Sequence, residues 1–93
     1  MSEVFAHVEV TGRVQGVGYR EFVRTIAQRL GIAGWVRNRD DGAVELAAFG
    51  NASQIETLLA AVRRGPAGGN VQQVRTLPVD EKDALPKPFV IRR

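Results

Sequence analysis

Val4, Ala6, Val8 and Val10 alternate with Phe5, His7, Glu9 and Thr11 near the start of the chain. A period of two marks a strand with one buried face, so a strand is predicted over Val4–Thr11. The alternation stops at Gly12–Gly18, where three glycines fall within seven residues and a loop is expected. From Arg20 the period changes. Phe22, Val23, Ile26, Ala27 and Leu30 lie on one helical stripe, and Gly31 supplies the stop. Ala33–Arg39 reads as a second strand centred on Trp35 and Val36, Asp41-Gly42 as a hairpin turn, and Ala43–Phe49 as the return strand. Ile55, Leu58, Leu59 and Val62 mark a second amphipathic helix, closed by Gly65-Pro66. Residues 66–70 form a loop and Val71–Val79 a fourth strand. Pro86 and Pro88 bracket a stiff segment, after which Phe89–Arg92 adds a short edge strand.

The order strand, helix, strand, strand, helix, strand is the split βαβ arrangement. It predicts an α+β, ferredoxin-like sandwich, with an antiparallel sheet of four to five strands and both helices on one face. No linker, repeat or low-complexity block interrupts the pattern, so residues 1–93 are expected to form a single domain. In this topology the first two strands run parallel with the third between them. Their C-terminal ends then lie at the same edge of the sheet.

That edge makes Gly12-Arg13-Val14-Gln15-Gly16-Val17-Gly18-Tyr19-Arg20 the informative segment. It joins a strand to a helix N-terminus, a place with unpaired backbone N–H groups and the positive end of a helix dipole. Gly16 and Gly18 let the backbone turn tightly and approach a ligand closely. An anion is the natural guest, and Arg20 can add a bidentate grip on two phosphate oxygens. The plainer alternative is a tight glycine connector with Arg20 in solvent. A cation sits poorly at a helix start unless it shares an anion with the N–H groups. The segment lacks the Gly-Lys-Ser/Thr of a Walker A loop, and Glu21 stands where the dinucleotide fingerprint requires glycine. Asn38 has the same parity as Val36 and lies at the C-terminal end of the second strand. It is either a site residue or an ordinary hairpin asparagine, since Asn favours turns.

Gly12-x-Val14-Gln15-Gly16-Val17-Gly18-Tyr19-Arg20 resembles the signature loop of the acylphosphatase family. Gly34-Trp35-Val36-Arg37-Asn38, followed by Asp41-Gly42, resembles that family's second signature. The similarity runs from about Val4 to Gly50, with weaker agreement at Gly65-Pro66 and at Phe89–Arg92. The resemblance implies hydrolysis of acyl phosphates to a carboxylate and inorganic phosphate. It implies that Arg20 binds the substrate phosphate, that the backbone of Gln15, Gly16, Val17, Gly18 and Tyr19 cradles it, and that Asn38 orients the attacking water. A phosphoryl oxygen of the substrate then accepts the water proton. Three features depart from the family's habit. Glu21 stands where an aromatic is common, Arg39-Asp40 replaces a turn that more often contains proline, and Gly68-Gly69-Asn70 is looser.

Composition narrows the chemistry further. There is no cysteine and a single histidine, His7, so thiolate nucleophiles and sites of several histidines are excluded. No carboxylate cluster lies near the loop, so neither a metal nor any other cofactor is expected. Positioning plus electrostatics remain, which suit phosphoryl transfer from a good leaving group. Net charge is +3, and arginine outnumbers lysine eleven to two. These are solvated arginines or a surface attractive to phosphate-bearing ligands. No apolar run approaches the roughly 20 residues of a membrane span, and Met1-Ser2-Glu3-Val4 does not read as a secretory signal. A monomer in the cytoplasm is expected, without a membrane or nucleic-acid partner.

Two rivals stand beside the enzyme: a non-catalytic anion sensor and an RNA-binding split βαβ module. The RNA reading wants aromatics on the open face of the central strands. Phe5 and Phe49 are flanked there by His7, Glu9, Glu45 and Ala47, a poor stacking platform. His7 is expected on that face without a catalytic role, Trp35 as a packing residue, Asp40 and Asp41 as turn residues, and Arg63-Arg64 as a solvated helix end.

Overall fold

The computed structural model describes residues 2–79 and 84–93. The predicted single domain over residues 1–93 therefore takes in five residues, 1 and 80–83, that lie outside those described. Seven elements follow in order: β1 (Glu3–Arg13), α1 (Tyr19–Leu30), β2 (Ala33–Asn38), β3 (Val44–Asn51), α2 (Ala52–Arg64), β4 (Asn70–Thr76) and β5 (Val90–Arg92). The sheet order is β4-β1-β3-β2-β5. β3 pairs antiparallel with both β1 and β2. The first two strands thus run parallel, flank the third, and end at one edge, as the element order requires. The ferredoxin-like α+β sandwich is borne out.

The fifth strand departs from the expected antiparallel sheet. β5 pairs parallel to β2, in the register Trp35 with Val90 and Val36 with Ile91, so the sheet is mixed. Parallel pairing needs a long connection, and β2 reaches β5 only through β3, α2 and β4. No short turn dictates the sense of the last strand, which is why the sequence pattern did not reveal it.

The strands present Val8, Val10, Val36, Val44, Leu46 and Ala48 to the helices. These pack against Tyr19, Val23 and Ala27 of α1, against Ile55, Leu58 and Val62 of α2, and against Phe89 before β5. The stripes seen in the sequence are the buried faces. On the opposite face of the sheet, Glu9 and Glu45 are each only 8% exposed. Arg75 and Arg39 engage Glu9; Arg37 and His7 engage Glu45. Burial would raise the Glu45 carboxyl, but hydrogen bonds from His7 and Arg37 outweigh it and hold the group below its ordinary value. Trp35 packs on this face beneath the guanidinium groups of Arg37 and Arg92. Among the described residues, no helix is long and apolar enough to cross a membrane.

One boundary matters for the site. β1 runs two residues past the predicted strand end, to Arg13, because a bulge between Thr11 and Gly12 resets its pairing with β4. Gly12 sits at φ 123°, and a Cβ there would lie 2.2 Å from the Asn70 carbonyl oxygen. Only glycine fits, and the loop begins at Val14. β4 stops at Thr76 rather than Val79, although the Leu77 N–H still donates to the His7 carbonyl at 2.7 Å.

Candidate active site

The chain between β1 and α1 is pinned at both ends. Val14 and Tyr19 are each 1% exposed, and the Tyr19 hydroxyl donates to the Val62 carbonyl of α2 at 2.7 Å. Burial pushes the pKa of that hydroxyl up, so it remains a neutral donor. Between the anchors, Gly16 and Gly18 have φ of 77° and 75°. No atom lies near the position of a Cβ at either residue, so backbone conformation rather than space favours glycine there. The Gln15 side chain leaves the loop and reaches the β2–β3 hairpin. Its amide donates to the carbonyls of Arg39 at 2.9 Å and Ala43 at 3.0 Å. The loop is thereby tied to the segment that follows Asn38.

The start of α1 is open to a ligand. The first intrahelical bond runs from the Phe22 N–H to the Gly18 carbonyl at 3.0 Å, which leaves the N–H groups of Tyr19, Arg20 and Glu21 without helical acceptors. α1 has no side-chain cap, whereas α2 begins with a complete capping box from Asn51 and Gln54. Arg20 stands in this uncapped first turn, half-buried, and it joins no ion pair among the described residues.

Asn38 closes the site from the sheet side. It is the last residue of β2 and shares the helix-covered face with Val36, which is fully buried. Its Oδ1 is sealed from bulk solvent and accepts no hydrogen bond from the described residues. An unpaired buried acceptor costs about 1–3 kcal/mol, so the carboxamide gains by turning or shifting until a donor, such as a water in the cavity, can reach its oxygen. Asn38 and Arg20 line one cavity of about 170 Å³, with Val14, Gly16, Gly18 and Tyr19; Glu21 and Ile91 complete its wall.

The sequence-derived residues therefore divide. Arg20, Asn38, Gly16, Gly18 and Tyr19 meet at the cavity. Gln15 and Val17 are not in its wall; Val17 packs against the core and the Gln15 side chain is spent on the hairpin. The tie made by Gln15 and the wall positions of Glu21, Val14 and Ile91 were missed. A loop glutamine four residues before the first residue of a helix carries no local signal of a partner more than twenty residues away. Asp41 behaves as a turn residue. It accepts from the Ala43 N–H at 3.1 Å and pairs with Arg39. The Ala43 hydrogen bond, reinforced by Arg39, holds its carboxyl below the ordinary value.

The acylphosphatase family model matches residues 6–91. The chain belongs to the acylphosphatase family. Acylphosphatases of Rhizobium etli and Salinibacter ruber are 45% and 49% identical to it over 84 residues. That stretch is 90% of this chain and 88% and 87% of the relatives. The crystal structure of the acylphosphatase from Bacillus subtilis matches with a TM-score of 0.84 at 34% identity, covering 99% of this chain and 100% of that one. Acylphosphatase similarity thus spans nearly the whole chain rather than the two signature segments alone, and the expected enzyme class is borne out.

Proposed function

We propose that this acylphosphatase hydrolyses acyl phosphates with Arg20 and Asn38 as its catalytic pair and with the loop backbone as the phosphate cradle. The observation that carries the reading is the shared cavity, whose wall joins Arg20, without an ion pair among the described residues, to Asn38 beside the uncapped N-terminus of α1. The phosphoryl group sits against the N–H groups of the segment 15–20, and the Arg20 guanidinium holds two of its oxygens. Asn38 Oδ1 accepts a hydrogen bond from the attacking water and so aims a lone pair at phosphorus. The water oxygen bonds to phosphorus as the bond to the acyl oxygen breaks, and that electron pair leaves on the carboxylate. The water proton passes to a phosphoryl oxygen. A carboxylate leaving group needs no general acid, and Asn38 need not ionise, because a carboxamide does not titrate near neutrality.

The same reading takes the chain as a monomer acting in the cytoplasm, on a small molecule and without a metal. Against an RNA-binding role, the Phe5 and Phe49 rings pack on one another with centroids 4.4 Å apart and a tilt of 46°, and the Glu9 and Glu45 carboxylates occupy Arg37, Arg39 and Arg75. The deciding experiment is the loss of benzoyl phosphate, followed by absorbance, with the parent and with Arg20→Gln. A preorganised oxyanion donor is worth about a hundred- to a thousandfold in rate, and the variant should lose at least that. A folded variant within about threefold of the parent would remove Arg20 from the mechanism, and a parent without turnover would leave an anion sensor.

A further inference from the structure

One wall residue of the cavity has no part in holding phosphate or water. Glu21 follows Arg20 directly and lines the same cavity, yet its side chain is 59% exposed. Asn38 Oδ1, by contrast, is sealed from solvent. Glu21 therefore stands at an exposed part of the cavity rim, and Asn38 is elsewhere on the same wall. Phosphoryl transfer keeps the attacking and leaving oxygens roughly in line through phosphorus. If the water sits at Asn38, the acyl group leaves on the side of phosphorus away from it, and the exposed rim at Glu21 is the exit taken here.

We propose that Glu21 sets the charge of the acyl group this enzyme accepts, disfavouring acyl phosphates whose acyl part carries a second negative charge. The proposal rests on the reading in which Asn38 guides the water. The Glu21 carboxylate is fixed by its neighbour one turn on, since Arg24 Nη2 donates to its Oε2 at 2.8 Å. Arg24 is not itself in the cavity wall, so the anion rather than the cation stands at the rim. Arg20, the cation that does line the cavity, is taken up by the phosphoryl group. A carboxylate on the acyl group would meet Glu21 without a free cation beside it. A neutral acyl group meets no such opposition.

At an exposed rim the effect is modest and salt-sensitive. Like charges about 4 Å apart in a water-rich setting alter a rate ratio by roughly three- to tenfold, and the effect fades beyond the Debye length of about 10 Å at 0.1 M salt. The test uses benzoyl phosphate and 4-carboxybenzoyl phosphate, which differ by one carboxylate. The readout is the ratio of their kcat/KM values. The parent should favour benzoyl phosphate by roughly three- to tenfold at low salt, and by less at high salt. Glu21→Gln should collapse the ratio toward one. Arg24→Gln removes the partner that offsets Glu21 and should widen it. Both positions are exposed enough that folding should survive, and a thermal melt checks this. Hydrolysis of both substrates with an unchanged ratio in Glu21→Gln would overturn the proposal while leaving the hydrolase reading intact. Failure of the parent to hydrolyse either substrate would overturn both.

Discussion

Removing the Gln15 side chain separates a positioned site from a merely assembled one. Gln15→Ala deletes two hydrogen bonds, of 2.9 and 3.0 Å, to the Arg39 and Ala43 carbonyls. Neither carbonyl is stranded, because the Arg39 oxygen also accepts from the Gly42 N–H at 3.2 Å and the Ala43 oxygen from the Arg39 N–H at 2.8 Å. The loss is therefore the net value of two bonds, about 1–2 kcal/mol in total, rather than the larger cost of orphaned groups. For a domain of this size that lowers Tm by roughly 5–15 °C. Val14 and Tyr19 still anchor the loop ends, so the phosphate cradle remains but is free to shift against the hairpin that carries Asn38. A misplacement of about 1 Å between reacting groups can cost on the order of a hundredfold in rate. We expect kcat on benzoyl phosphate to fall by about ten- to a hundredfold, while the inhibition constant for phosphate changes much less. Gln15→Glu should be worse in both respects, since it aims a carboxylate at two carbonyl oxygens. A folded Gln15→Ala enzyme with kcat within about twofold of the parent would refute the positioning argument.

Two further outcomes follow from the charges. Phosphate should bind the folded chain and not the unfolded one, so the folded state gains about 2.7 kcal/mol at a hundred times the dissociation constant. Melts in phosphate should thus exceed those in chloride at matched ionic strength, and an undiminished rise in Arg20→Gln would show a general salt effect instead. Acid should destabilise through Glu45 and Asp41, whose folded pKa values lie below the ordinary 4.5 and 3.8. A depressed carboxyl contributes stability above its unfolded pKa and loses it as pH falls through the folded one. Tm should therefore hold down to about pH 5 and drop below about pH 4.5, mainly through the buried Glu45 rather than the exposed Asp41. Glu45→Gln should flatten that limb, and an unchanged limb would assign it to other groups.

The sequence disclosed what local periodicity governs. Val4–Val10, the Phe22–Leu30 stripe and Ile55–Val62 each announce a buried face, and their order alone gives the layered topology and the edge where the site forms. The same order brings the glycine-rich junction with Arg20 and the strand-end Asn38 to one edge, but it was the resemblance to the two acylphosphatase signatures that singled these residues out. The long-range terms were not legible. The bulge at Gly12 depends on how closely the Asn70 carbonyl approaches, which no local pattern encodes. The parallel sense of β5 depends on pairing across the sheet. Gln15 was read for its backbone alone, because the partners of its side chain are hairpin carbonyls, which have no residue type to recognise. Glu21 stood out in the sequence only as a departure from the acylphosphatase pattern, and the cavity wall gives it a position to act from.

The central claim is a division of labour: Arg20 holds phosphate throughout the reaction, and Asn38 serves the water alone. Asn38→Ala tests it most directly, with kcat and the inhibition constant for inorganic phosphate measured side by side. An interaction made only with the nucleophile matters for the chemical step and not for binding the anion. The account predicts that Asn38→Ala lowers kcat by about a hundredfold or more and leaves the phosphate constant within about twofold of the parent. Phosphate binding weakened as much as in Arg20→Gln would make Asn38 a ligand of the anion, and an intact kcat would make it an ordinary hairpin asparagine; either result contradicts the claim.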